Sequence, residues 1–319
     1  MSEIENIAKQ MLAKGKGILA ADESTGTMTK RLAGVNVEST SETRLKFRET
    51  LFSAEGMKSY IGGVILYDET IRQKTSSGKT VPELIKSLGS IPGIKVDTGA
   101  KKLAGSPEEK VTEGLDGLRE RLADYYKLGA RFTKWRAVYN ISEKYPSELA
   151  IKTNAHALAR YAALVQETKM VPIVEPEVLM DGQHDIMKCY KVTAKVLQEC
   201  YKELKLHNVN LKGTILKPNM ILPGNKSKDQ NNSAEIAKLT LKCLKENVPN
   251  EVPGIAFLSG GQTEIEATQN LNEINKINDT NFLISFSYGR ALQQSALKNW
   301  AKNIKDTSNT QKIFNHRSK

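Results

Sequence analysis

Apolar residues in this chain fall into short runs that alternate with longer amphipathic stretches. The runs are GILAAD at 17–22, YIGGVIL at 60–66, GIKVD at 93–97, RFTKWR at 131–136, VPIVEPE at 171–177, GTILKP at 213–218, GIAFLSG at 254–260 and FLISFSYG at 282–289. Each has the length and make-up of a buried strand. The stretches between them, such as 114–130 and 156–169, carry apolar residues at helical spacing and close on turn or polar residues. Strand then helix, eight times over, predicts a closed parallel (β/α)8 TIM barrel, an α/β fold. No linker rich in Pro, Gly or Ser parts two cores, so residues 1–319 are expected to form a single domain. The one low-complexity stretch, NKSKDQNNSAE at 225–235, reads as an exposed loop that caps into a helix at Ser233.

In such a barrel, chemistry collects where the strands end at their C-terminal side. Asp22 ends the first run, Lys95 and Asp97 the third, Lys134 and Arg136 the fourth, Glu175 and Glu177 the fifth, and Lys217 the sixth. The seventh ends in Ser259-Gly260-Gly261 and the eighth in Ser287 to Arg290. Each charged pair is spaced i, i+2, which puts both members on one face of the strand, here the lumen. Buried ion pairs are often no better for stability than apolar replacements, so charges of both signs converging on one lumen point to a site. Lys217 is the centre of that reading. It ends an apolar strand that Pro218 stops, and burial beside other cations favours the free amine that attacks a carbonyl to form a Schiff base.

Composition narrows the partners and the compartment. The formal net charge of +11 and pI near 9.3 suit anionic ligands such as phosphorylated metabolites, although the lysines are scattered over helical segments and form no single basic run. Beyond that charge there is no nucleic-acid motif. Cys189, Cys200 and Cys243 form no C-x-x-C pair, which argues against a disulfide framework or a zinc ribbon and for a reducing cytoplasm. No apolar run reaches the length of a membrane span, and residues 1–17 read as a polar amphipathic helix without a signal-peptide core.

Taken together, GKGILAADESTG at 15–26, GGVILYDET at 62–70, GIKVD, KWR at 134–136, VPIVEPE, LKPNM at 216–220, FLSGGQ at 257–262 and SFSYGRAL at 285–292 closely resemble class I fructose-bisphosphate aldolase. The resemblance runs over nearly the whole chain, with eight motifs in order. It implies reversible cleavage of fructose 1,6-bisphosphate to dihydroxyacetone phosphate and glyceraldehyde 3-phosphate through a lysine Schiff base, without cofactor or metal. Lys217 matches the Schiff-base lysine, and Lys134 a second cation that keeps its amine neutral and holds the reacting hydroxyls. Glu175 matches the acid/base for carbinolamine dehydration, with a carboxyl expected to titrate high because Glu177 crowds it. Asp22 matches the carboxylate on the C4 hydroxyl. Ser259, Gly260, Gly289 and Arg290 match the site for the C1 phosphate, and Ser24, Thr27, Lys95 and Arg136 resemble the residues that meet the far end of the sugar. Ser24 and Thr27 are equally suited to capping the first barrel helix.

The family also implies a homotetramer, and members bind cytoskeletal or adhesin tails, so a scaffold without catalysis is the competing reading from another class. An intact Lys217, Glu175 and Asp22 set speaks against it. A metal-dependent aldolase would need clustered histidines, whereas His156, His184, His207 and His316 fall in unrelated segments without ligand spacing. A different Schiff-base barrel lyase, of the transaldolase or deoxyribose-phosphate aldolase kind, is the alternative within the same chemistry, and the paired phosphate sites at both ends of the substrate speak for a ketose bisphosphate instead. Family members carry a C-terminal tail ending in a tyrosine that assists proton transfer at C3. This sequence stops at Lys319 with no tyrosine after Tyr288, so the tail is expected to be short or missing from this chain.

Overall fold

The computed structural model describes residues 2–229 and 232–319. Its strands, in chain order, are β1 (Gly17–Ala20), β2 (Ile61–Leu66), β3 (Ile91–Lys95), β4 (Gly99–Leu103), β5 (Ser106–Glu113), β6 (Phe132–Tyr139), β7 (Val171–Val178), β8 (Ile215–Leu216), β9 (Gly254–Phe257) and β10 (Leu283–Tyr288). Eight of them close into a parallel barrel in the order β1-β10-β9-β8-β7-β6-β3-β2, with helices between successive strands. The expected TIM barrel is therefore what forms. β2 and β7 are buried at every position; β2 accordingly reads as a continuous apolar run, whereas β7 carries Glu175 and Glu177 in its buried second half.

Small residues let this barrel close over its own aromatics. A Cβ on Gly17 would lie 2.5 Å from the ring of Phe286, and one on Gly93 2.3 Å from the ring of Phe132, so these rings occupy space that glycine leaves in the wall. The N-terminal helix Glu3–Met11 covers the end where the strands begin. A Cβ on Gly62 would meet the Met11 carbonyl at 2.1 Å, and one on Gly254 would meet Leu12 at 2.5 Å. Ala8, Met11 and Leu12 complete an inner cluster with Ile18, Ile65, Phe132, Val171, Ile173 and Ile215. With that end shut by apolar packing, the lumen opens only where the strands finish.

Several boundaries differ from the sequence expectation. Leu211–Gly213 is a 3-10 turn and the sixth barrel strand keeps only Ile215–Leu216, yet the Lys217 N–H still donates to the Val174 carbonyl at 2.8 Å. Lys217 thus takes the last ladder bond before Pro218, which has no N–H to give. The hairpin β4–β5, inserted between β3 and β6, was not anticipated, because its mostly exposed polar residues lack the apolar run of a barrel strand. Asn232, not Ser233, caps the helix Ser233–Asn247, accepting from the Glu235 N–H at 2.9 Å. Residues 230 and 231 of the expected loop lie outside the described residues.

Candidate active site

Strand register sets the site. In β3 and β6, Lys95 and Lys134 are direct partners, an arrangement that like charges would oppose. Asp97, two residues past Lys95 on the same face, resolves it: its Oδ1 lies 3.0 Å from Lys95 Nζ and its Oδ2 3.9 Å from Lys134 Nζ. Between β6 and β7, Arg136 is opposite Glu175 and Val138 opposite Glu177. Asp22, just beyond β1, reaches Lys134 Nζ at 2.9 Å, and Glu175 approaches the same nitrogen at 3.4 Å. The other oxygen of Glu175 lies 3.2 Å from Lys217 Nζ. Arg136 Nε pairs with Glu177. Charges of opposite sign therefore alternate from Lys95 through Asp97, Lys134 and Glu175 to Lys217, and Lys134, Glu175 and Lys217 are each at most 4% exposed.

Taking this many ions out of water costs several kcal/mol each before pairing offsets it. The titration shifts show the pairing winning. Burial works to raise the Asp22 carboxyl, but Lys134, Lys217 and Lys95 together hold it well below the usual carboxylate range. Burial likewise disfavours a charged Lys134, and Asp22, Glu175 and Asp97 outweigh it, so Lys134 stays a cation. Arg136 is held charged by Glu177 against the same penalty. Glu175 corrects the sequence reading. Burial raises its carboxyl, yet Lys217, Lys134 and Arg136 bring it below its ordinary value. Glu177 is turned to Arg136 instead of crowding it.

The phosphate-type residues stand around the same opening. Gly260 has φ +20° and Gly261 +78°, so the turn after β9 takes a backbone that side chains rarely allow, and a Cβ on Gly260 would strike Leu258 at 2.5 Å. Gly289 caps the helix Arg290–Trp300, whose positive end faces the mouth with Arg290 exposed at the rim. On the other side, Ser24 caps the helix Thr25–Ala33: its Oγ accepts from the Thr27 N–H at 3.3 Å and lies 3.1 Å from Thr27 Oγ1. Capping is therefore real here, and it leaves both hydroxyls at the cleft.

All the expected site residues, Asp22, Ser24, Thr27, Lys95, Lys134, Arg136, Glu175, Glu177, Lys217, Ser259, Gly260, Gly289 and Arg290, line one cleft of ≈ 330 Å³. Asp97, Arg31 and Ser287 line it too, and the sequence pattern assigns none of them a role. Asp97 carried a signal in its i+2 spacing from Lys95. Arg31, paired with Glu23, stands one turn beyond Thr27, and its place needed the helix direction. Ser287 is 1% exposed and its Oγ has no hydrogen-bond partner among the described residues, a state invisible in sequence. The histidines also depart from expectation: His156 and His207 meet at Glu203, away from this cleft.

A family model described as fructose-bisphosphate aldolase class-I matches residues 3–319. The chain is 52% identical to the Xanthomonas campestris pv. campestris protein named "Probable fructose-bisphosphate aldolase class 1", over 100% of this chain and 96% of that one. It is 53% identical to the cytosolic fructose-bisphosphate aldolase 4 of Arabidopsis thaliana, over 96% and 78% of the two chains. Among solved structures it is similar to the fructose-bisphosphate aldolase from Plasmodium falciparum in ternary complex with TRAP and a small-molecule inhibitor. That likeness has TM-score 0.97 and 43% identity, and covers 99% of this chain and 92% of that one.

Proposed function

Because this chain belongs to the class-I fructose-bisphosphate aldolase family, we propose that its barrel mouth carries out the family reaction with Lys217 as the Schiff-base lysine. The enzyme is a carbon–carbon lyase of glycolysis and gluconeogenesis, cleaving fructose 1,6-bisphosphate reversibly to dihydroxyacetone phosphate and glyceraldehyde 3-phosphate. The observation that carries the assignment is the buried Lys217 amine 3.2 Å from the Glu175 carboxylate.

The proton bookkeeping follows from that pair. Glu175, held ionised, accepts the proton that Lys217 must shed to become a nucleophile. The amine adds to the C2 carbonyl, and Glu175 returns the proton to the carbinolamine hydroxyl, which leaves as water to give the iminium. Asp22, also ionised, takes the C4 hydroxyl proton, the C3–C4 bond breaks, and its electrons pass into the iminium as an enamine. Lys134, charged and 2.9 Å from Asp22, holds the reacting hydroxyls and offsets charge building on the two carboxylates. Glu177 fixes Arg136. Ser259, Gly260, Gly289 and Arg290 bind the C1 phosphate, and Ser24, Thr27, Lys95 and Arg136 the far end of the substrate. A cleavage assay on fructose 1,6-bisphosphate tests the reading, with Lys217→Met expected to be inactive.

Three further parts of the reading rest on the family. The enzyme is cytoplasmic, in keeping with its cytosolic relatives and with the lack of any membrane-crossing helix among the described residues. It is a homotetramer, which a sizing measurement checks. Its basic surface docks cytoskeletal or adhesin tails, a reading favoured by the solved relative in complex with TRAP. We also infer that residues 1–319 fold as a single domain.

A further inference from the structure

Away from the barrel mouth, three metal-ligand side chains meet on the seam between two outer helices, Glu148–Glu167 and Ile186–Leu206. Glu203 and His207 stand i, i+4 at the end of the second helix, on one face, and His156 meets them from the first. His156 Nδ1 lies 3.0 Å and His207 Nδ1 3.7 Å from Glu203 Oε2, and the two rings meet edge-on with centroids 5.0 Å apart. All three residues offer ligand atoms within 4.8 Å of one another. We propose that this cluster binds one divalent transition-metal ion of the Zn²⁺ class and so staples the two helices together.

The chemistry fits that occupant. Two imidazoles and one carboxylate are the donor set of open zinc sites, and suit Co²⁺ and Ni²⁺ as well. Donors bound at ~2.0–2.2 Å in a tetrahedral shell stand roughly 3.4 Å apart; His156 Nδ1 and Glu203 Oε2 are 3.0 Å apart, and the ligand atoms of all three residues lie within 4.8 Å of one another. His207 Nδ1 also lies 2.9 Å from the Glu203 carbonyl. Donating there fixes the ring and leaves Nε2 with its lone pair free, as in metal-ligating histidines held by a backbone carbonyl. His156 is half exposed, while the Glu203 side chain is only 15% exposed and faces both imidazoles. Clefts on either side give an ion access and room for water, one lined by His207 and the other by His156. Arg160 lines both, and its charge works against the ion. Cys200, one turn before Glu203, is buried with its thiol pushed up to about 12 and supplies no thiolate. None of the three ligands lines the catalytic cleft, so the ion has no part in cleavage.

The test uses the full chain, stripped with chelator and dialysed against Zn²⁺ or Co²⁺ alone, with His156→Ala, His207→Ala and Glu203→Gln beside a His184→Ala/His316→Ala control. One ion per chain is expected, with affinity reduced at least ~100-fold in each cluster variant and retained in the control. Metal should raise the Tm of the wild type and of the control only. Stripping should leave the cleavage rate unchanged. Undiminished binding in His156→Ala/His207→Ala, or no ion held by the wild type at ~100 μM free metal, would overturn the proposal.

Discussion

Replacing Lys134 by Met removes a cation that stands within 4 Å of three carboxylates at once, Asp22 at 2.9 Å, Glu175 at 3.4 Å and Asp97 at 3.9 Å. The side chain is 3% exposed, so water cannot take over its role. Breaking a buried pair from one side costs about 3–5 kcal/mol. The entropy of unfolding, about 2.1 cal/mol/K per residue, comes to roughly 670 cal/mol/K for a chain of this length, so Tm should fall by about 4–7 °C near neutral pH. The sign of the pH effect follows from the shifts. Asp22 and Glu175 titrate below their unfolded values, so their stabilisation is present above about pH 4 and is lost only as pH falls through the lower folded values. Without Lys134, burial pushes one carboxyl upward, and its protonation relieves the uncompensated charge. The gap between wild type and variant should therefore narrow between about pH 7.5 and pH 5. Urea unfolding at one fixed protein concentration measures it. A gap below about 1 kcal/mol at pH 7.5, the value of a surface pair, or one that does not narrow on acidification, would refute the network.

Three other outcomes follow from the same geometry. Glu175→Gln should lower kcat by ~10²–10⁴ with little change in KM, since it removes proton transfer and keeps shape; steady-state kinetics decide. Arg290→Ala should raise KM for fructose 1,6-bisphosphate roughly tenfold to a hundredfold, because a forked charge-assisted donor to a dianion is lost at the cleft rim. Burial holds the Cys189 thiol high and pushes Cys200 and Cys243 up to about 12. A thiol–disulfide reagent at about pH 8 should therefore meet on the order of 10⁻⁴ thiolate at the latter two and react with the native protein only after unfolding.

The barrel was legible because the wall strands are short apolar runs, most of them closed by a charge or glycine, and because i, i+2 spacing assigns a side to each charge. On that basis the sequence alone places Lys134 and Glu175 in the lumen. What could not be read was which carboxylate answers which cation. The i, i+2 spacing predicts that Glu177 crowds Glu175, but β6 brings Arg136 alongside and Glu177 turns to it, which reverses the expected shift at Glu175. Such pairings depend on strand register between segments about 40 residues apart, which local pattern does not encode. The meeting of His156 with His207 is of the same kind, decided by how two outer helices pack. The hairpin β4–β5 escaped for a local reason, since a mostly exposed ribbon carries no apolar run.

The central claim is that one lysine of the many in this chain becomes covalently bound to substrate. Borohydride added together with dihydroxyacetone phosphate reduces an iminium to a permanent secondary amine, and peptide mass mapping then locates it. The predicted result is one adduct per chain, on Lys217, with activity lost in parallel and with no adduct in Lys217→Met. An adduct on Lys134, Lys95 or any other lysine, or turnover that survives with Lys217 fully modified, would contradict the account.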